Sequence, residues 1–464
     1  MWGVVEYVRA SFRLSWCVVF AVSVVTGAQA MSLREAVEAT VRSNPAIDSA
    51  RANRRATEYE LKQAQGRALP QLSVDADVGR EKIDKPLGLA EDINDIWRTR
   101  RQGALTARQF LFDGWDRAND VYKNAARVDA AALRVLARSE ALALDAIEAY
   151  IDVLRHLKVL DISRRNVARH RQLLGQVREL ARAGKVAKSE VAQVEERLAG
   201  SEVAVDRVQQ SLLEARAKFK RVVGVEPTNL ASVADARGVP VSRQQAVDMG
   251  LANHPLLAAA EADSDTAKSA LDQTRAGYFP QVSLEARGSS GHDLSGTPGK
   301  SDELQGRVVL SWNLFDGRIT SNKNREFAER WSQAMSERDD RARQIAEEIE
   351  RALAARTIGA TRLENLRRQA AKSREVAEAY AQEYNVGKRS LLDLLDSENA
   401  RSNNEVQSVS QEFVQLFTGY RTLGAMGRVL QAMNVAAPVE GDAGRRQSVR
   451  ERGPFTLDLG PLRQ

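Results

Sequence analysis

Asp393 and Asp396 are the residues of this chain best spaced to act as a pair. On a helix, positions i and i+3 share a face. Repeated around a symmetric aperture, two carboxylates per chain form a cation-selective ring. Acids on a solvated helix face have the same spacing. Catalysis has no comparable candidate. The four histidines, His156, His170, His254 and His292, lie far apart and none has a metal-ligand spacing with another. The sequence contains no phosphate-binding loop, nucleophile elbow or dinucleotide fingerprint. No metal, no cofactor and no enzymatic activity are therefore expected. The single cysteine, Cys17, falls in the N-terminal leader, which leaves no thiol chemistry for the rest of the chain.

The elements that must position these acids are written twice. Ser32-Leu33-Arg34-Glu35-Ala36-Val37 returns as Ser242-Arg243-Gln244-Gln245-Ala246-Val247, Asn44-Pro45 as His254-Pro255, and Leu69-Pro70-Gln71 as Phe279-Pro280-Gln281, all at an offset of 210. Leu111-Phe112-Asp113-Gly114 matches Leu314-Phe315-Asp316-Gly317, and Ala183-Gly184-Lys185 matches Val386-Gly387-Lys388, at an offset of 203. One indel in one loop accounts for the change. Two repeats follow, 31–240 and 241–435.

Each repeat opens with a helix. The first is expected over 32–69, with Ser32 and Glu35 as a capping box. Pro70 and Pro280 end these helices and start extended chain. Leu72, Val74, Ala76 and Val78 then alternate with Ser73, Asp75 and Asp77, and Val282, Leu284 and Ala286 alternate with Ser283, Glu285 and Arg287. These are strands with one apolar and one polar face. Polar loops near 79–101 and 288–302 lead to return strands, giving hairpins at about 71–112 and 281–315. Phe110, Phe112, Trp312 and Phe315 gather at the strand ends. They suit an aromatic girdle at a membrane interface and equally a packed strand–helix junction.

After Gly114 and Gly317 the period becomes helical. Long helices are expected over 114–182 and 317–386. Both glycine-to-glycine runs, Gly114 to Gly184 and Gly317 to Gly387, span 70 residues, or roughly 105 Å as helix. Gly184 and Gly387 mark turns. Return helices follow over 189–224 and 391–433. Residues 436–464 lose the apolar period and are expected to be disordered.

The bulk numbers agree. The 464 residues are 43% hydrophobic but only 5% aromatic, as in long-helix proteins. A net charge of +6 from 68 basic and 62 acidic residues is small and interspersed, so no nucleic-acid partner is expected. Residues 1–30 read as a signal peptide. Arg9 and Arg13 precede an apolar stretch from Leu14 to Val25, and Ala28-Gln29-Ala30 is a cleavage site. No later stretch has 18 consecutive apolar residues, which excludes membrane-spanning helices but not a β-barrel.

Four strands of about nine residues match a tilted bilayer span. They cannot close a barrel alone, and an open edge in lipid leaves backbone groups unpaired. Several copies must pool their strands: two give eight, three give twelve.

The two-repeat layout, the Pro-Gln strand starts, the Leu-Phe-Asp-Gly strand ends and the segment Tyr384-Asn385-Val386-Gly387-Lys388-Arg389-Ser390-Leu391-Leu392-Asp393-Leu394-Leu395-Asp396 resemble the TolC family of outer membrane channel-tunnels. The likeness covers about 32–433. It implies a homotrimer in the outer membrane, with a 12-stranded β-barrel and a long α-helical barrel in the periplasm. It implies a periplasmic adaptor and an inner-membrane ABC transporter or other pump as partners. By the same likeness, Tyr384, Arg389 and Glu190 match the family's gate at the periplasmic tip. The family usually carries Asp where Glu190 stands, one methylene shorter. Asp393 and Asp396 become the entrance ring. Gly184, Lys185, Val186, Val386, Gly387 and Lys388 become adaptor-contact tips, though the glycines serve equally as helix caps. The expected function is an exit duct for type I secretion of a protein such as a repeat-containing toxin or adhesin. Efflux of drugs or metal ions on the same fold is the alternative, and a periplasmic coiled-coil scaffold is the reading of a different class.

Overall fold

A computed structural model describes residues 30–84 and 96–455. The signal peptide apart from Ala30, residues 85–95 of the first polar loop and residues 456–464 of the tail lie outside the described residues.

Ser32 and Glu35 form the expected capping box on helix α1 (Leu33–Ser43). The single helix expected over 32–69 is two. Pro45 removes a backbone donor and pushes Asn44 into extended geometry, so the chain bends and restarts as α2 (Pro45–Gly66). The Asn44 side chain caps α2 through Ala46 N at 3.0 Å. The second repeat does the same with α5 (Arg243–Asn253) and α6 (Pro255–Thr274). Here His254 is the cap, its Nδ1 accepting from Leu256 N at 3.2 Å. Burial, then the Arg341 charge, lowers its pKa to about 4, which keeps the ring an acceptor. His254 is thus a buried helix cap, a role that the histidine spacing did not reveal.

Four antiparallel strands follow in the order β1 (Gln71–Glu81), β2 (Arg98–Phe112), β3 (Gln281–His292) and β4 (Lys300–Ser311). The sheet is a meander in which β2 of the first repeat pairs with β3 of the second, with one register shift between Phe110 and Phe112. β1 and β4 are both open edges. The strands run 11, 15, 12 and 12 residues, longer than the alternation implied, because their polar outer ends need no apolar face. β4 stops at Ser311 rather than 315. Ser311 faces Gln281, the first residue after Pro280, so Trp312 has no strand opposite it.

The long helices are α3 (Asp116–Arg182) and α7 (Ile319–Asn385), each 67 residues. They start two residues later than expected. Gly114 and Trp115, like Gly317 and Arg318, have positive φ and form the strand-to-helix turn. The returns are α4 (Lys188–Val223) and α8 (Leu391–Ala425). α8 ends eight residues early, at Ala425, and the chain turns at Gly427. That residue has φ of +67°, and a Cβ there would lie 2.6 Å from Pro255 Cδ, so the chain turns into the short α9 (Val429–Ala432). The main core joins α1, α3, α4, α5, α7, α8 and α9 around Tyr150, Phe219, Ile349 and Met426.

Part of the tail expected to be disordered is folded. Helix α10 (Arg445–Arg452) lies against α3. Asp129, 1% exposed, accepts from Arg445 N at 2.8 Å and Arg446 N at 3.0 Å. Arg446 also reaches Asp265 on α6 at 2.7 Å, and Val449 packs with Leu61, Val121, Ala125 and Val128. A buried carboxylate needs donors, and the tail supplies them.

Candidate functional site

Both tips close with the same turn. Lys185 N donates to Leu180 O at 2.9 Å and Gly184 N to Ala181 O at 3.1 Å; Lys388 N donates to Glu383 O at 2.8 Å and Gly387 N to Tyr384 O at 3.0 Å. This is the Schellman pattern, and it requires the positive φ of Gly184 and Gly387. Among the described residues nothing lies within 4 Å of a Cβ built at either glycine, so both glycines face open space.

The tips pack together beneath these turns. Leu173, Val177 and Val194 of the first repeat meet Leu391, Leu394 and Leu395 of the second, with Tyr380, Tyr384 and Val186 over them. Tyr384 sits on this apolar cluster with its hydroxyl buried and without a hydrogen-bond partner among the described residues. Burial first, and the Glu190 charge second, push its pKa up. The structure thus brings Glu190 and Tyr384 into electrostatic range. It takes Arg389 elsewhere: the guanidinium binds Glu383 at 2.8 Å, stacks on the Tyr380 ring with its carbon 4.1 Å from the centroid, and is raised in pKa chiefly by the Glu383 hydrogen bond. Glu383 lies one turn back on the same tip, so it is the nearest available carboxylate.

The two acids expected to form a ring differ. Asp393 is tied to the start of α8: its N donates to Ser390 Oγ at 3.1 Å, and the hydroxyl donates to Asp393 Oδ2 at 2.8 Å. Asp396, 59% exposed at its side chain, pairs with Arg197 of α4 at 3.1 Å. That contact belongs to a series the spacing did not reveal. Arg165 reaches Glu405 at 2.8 Å, and Arg169 reaches the fully buried Glu398 at 2.7 Å. In all three pairs the first repeat supplies arginine and the second supplies acid. Cross-repeat partners leave no periodic mark in sequence.

At the opposite end, the Leu-Phe-Asp-Gly motifs do more than turn the chain. Asp113 accepts from Arg117 N and Nε at 3.2 and 2.6 Å, and Asp316 accepts from Thr320 N at 2.7 Å, so each aspartate satisfies a free donor of the following helix. Trp115 packs edge-on against Phe112 at 5.2 Å and Phe279 at 5.4 Å. Phe112 is the only one of these three among the expected aromatics. The Pro70 and Pro280 positions immediately precede β1 and β3 as expected.

A bilayer-length sheet with open edges, joined to helices of 67 residues, defines a membrane channel protomer. The comparisons with known proteins name the class. Residues 36–225 and 246–412 match the outer membrane efflux protein family, and the chain belongs to it. The outer membrane efflux protein BepC of Brucella suis is 26% identical over 421 residues, covering 88% of each chain. The proteases secretion protein PrtF of Dickeya chrysanthemi is 24% identical, covering 88% of this chain and 91% of its own. The alkaline protease secretion protein AprF of Pseudomonas aeruginosa is 22% identical over 68% of each. Among solved structures, the CmeC outer membrane channel of Campylobacter jejuni superposes with a TM-score of 0.76 at 13% identity, covering 92% of this chain and 90% of that one. The protein is an outer membrane efflux protein, not an enzyme, and it shares the fold of the solved outer membrane channels. A free periplasmic scaffold is thereby set aside.

Proposed function

We propose that three copies assemble into the outer membrane exit duct of a tripartite system for type I secretion of a protein. The observation that carries the assembly is the four-strand meander with both edges open. In lipid, β4 of one copy must pair with β1 of the next until the wall closes, because each unpaired edge group costs several kcal/mol. Twelve strands leave a lumen where eight would be filled by side chains. The secretion reading is supported by the two protease-secretion relatives. A periplasmic adaptor would dock on the free turns at Gly184-Lys185-Val186 and Val386-Gly387-Lys388, and an inner-membrane ABC transporter would supply the energy.

The tips form the gate in this reading. Glu190, Tyr384 and Arg389 hold the aperture shut, and Asp393 with Asp396 forms the cation-selective ring at its mouth. Arg389 acts through Glu383 and Tyr380, so removing it frees the second tip from its own anchor. Mass measurement of the detergent-extracted protein with single-channel recording tests the whole reading. A trimer is expected, with conductance raised by Arg389→Ala or Tyr384→Phe and block by multivalent cations lost in Asp393→Ala with Asp396→Ala. A monomer, or conductance and block indifferent to these changes, refutes it. The BepC likeness favours a second reading, export of small molecules through the same duct. Accumulation of the secreted protein inside cells lacking this chain, with drug tolerance unchanged, decides for secretion.

A further inference from the structure

Arg197 on α4 and Asp396 on α8 make the only ion pair joining these two helices among the described residues, Nη2 to Oδ1 3.1 Å. Val194 of α4 packs with Leu394 and Leu395 of α8 in one apolar cluster. That packing sets Arg197, about one turn on from Val194, opposite Asp396. We propose that Arg197 is the built-in counter-ion of the entrance ring: it occupies Asp396 and so determines how tightly the mouth binds multivalent cations. This rests on the ring read above for Asp393 and Asp396.

The two acids are not equivalent in charge. Asp393 is exposed, and its carboxylate is held by the neutral Ser390 hydroxyl. The base whose charge it meets, Arg389, is itself bound to Glu383 at 2.8 Å. Asp396 carries a guanidinium. Each chain therefore brings two carboxylates and one base to the mouth, and half of the ring's charge is cancelled from within. A contact of 3.1 Å also leaves no space for an ion between the partners, so any aperture that Asp396 faces is faced by Arg197 too.

The pair is exchangeable. Its side chains are 36% and 59% exposed, and an exposed pair shifts an equilibrium by up to about fivefold. The neighbouring Arg169–Glu398 pair differs. Glu398 is 1% exposed and takes a second arginine, Arg401, at 3.3 Å. Removing a base there strands a buried charge; removing one from Asp396 leaves a carboxylate that water solvates. Arg197 also has a second place to go, since Glu196 Oε2 lies 3.6 Å from its Nε. Coulomb attraction grows with the charge of the ion, so a trivalent cation displaces the guanidinium more readily than potassium does. Conduction requires sites weak enough to leave. Unopposed carboxylates from every copy around one aperture would hold multivalent ions and plug it. With Arg197 in place the mouth favours cations without a deep well.

The test uses the full-length assembly in planar bilayers at 0.1 M KCl, with LaCl3 added on the tunnel side. Arg197→Gln should lower the half-blocking concentration at least about fivefold, because every copy acts on one ion. Arg197→Lys, which keeps the charge, should stay near wild type. Arg197→Gln with Asp396→Asn should also return to near wild type, because acid and base leave together. Should Arg197→Gln not assemble, Asp396→Asn serves alone. It leaves Arg197 against Asp393 with no net charge, so the half-blocking concentration should rise at least about 10-fold although Asp393 remains. An equal half-blocking concentration in Arg197→Gln and wild type overturns the counter-ion, even where unitary conductance changes, since a mere strap between repeats alters conductance and leaves ion affinity alone. La3+ block that survives Asp393→Ala with Asp396→Ala overturns the ring itself, so the two failures are told apart.

Discussion

The two repeats share a topology and distribute burial in opposite ways. Helices α3 and α7 have the same length and begin and end 203 positions apart. Yet α3 buries 32 of its residues and α7 only six, so α3 is the protomer's internal mast and α7 an outer wall. α3 touches α1, α2, α4, α6, α8 and α10, whereas α7 is flanked by α5, α6 and α8. A repeated sequence thus acquires two roles from its position. In the proposed trimer the exposed face of the second repeat is left for neighbouring copies, and its tip holds the Arg389–Glu383 pair and the Ser390 cap. Ser390 caps α8 and Arg389 anchors its turn, while the equivalent Ala187 and Val186 do neither.

The sharpest break is expected at one register position. Ile147 on α3 is 0% exposed, and Glu350 is its counterpart on α7. Ile147→Ala should cost about 2–5 kcal/mol and Glu350→Ala less than about 0.5 kcal/mol in melts of the detergent-solubilised protein. Equal shifts would end the contrast between mast and wall.

Glu140 on α3 comes next. Its carboxylate accepts from Val429 N at 2.6 Å, tying α3 to the turn after α8, and burial pushes its pKa from 4.5 up to about 7. The neutral form is therefore favoured in the folded state. Its contribution is complete below about pH 4.5 and is lost as pH rises through about 7. That window is worth up to about 3 kcal/mol. Glu140→Gln should flatten the loss of stability between those pH values, and an unaltered pH profile would remove Glu140 from the account.

The two strand-to-helix glycines test the junctions. Both have φ of +66°, but a Cβ at Gly114 would meet Ala276 O and Phe279 Cβ at 2.9 Å, and one at Gly317 would meet nothing. Gly317→Ala should cost the backbone strain alone, about 1–2 kcal/mol, and Gly114→Ala visibly more in the same melts.

The smallest effect distinguishes the helix caps. His254→Asn should be nearly neutral at pH 7, since Asn44 does the same work in the first repeat. His254 is depressed to about 4, so its contribution is present above about pH 6.5 and lost as pH falls through 4. The variant should lack that acid-side loss, and retention of it would implicate another group.

Much of this was legible in the chain. The repeats exposed the hinges, and the glycines at both tips and both junctions adopt the positive φ that their positions implied. Other features were hidden for identifiable reasons. Asn44-Pro45 was visible as a repeat mark, yet its power to split a helix was masked by continuous apolar periodicity on both sides. Trp115 follows the Asp-Gly signal by one residue, but its partner Phe279 lies in the other repeat. The arginine pairings of Glu398 and Glu405 also cross repeats. In the tail helix α10 the one apolar residue, Val449, carries no period, and the helix's docking depends on the buried Asp129.

The sequence by itself determined the local geometry: period-two strands, long helices, their stops at Pro and Gly, and the duplication. These depend on interactions within a few residues, so spacing suffices to read them. Only the tertiary structure decided which long helix is buried, which charges pair across the two repeats, and which carboxylate holds Arg389. Those outcomes depend on groups far apart in the chain, and identical periodicities are compatible with either arrangement until the surrounding elements are in place.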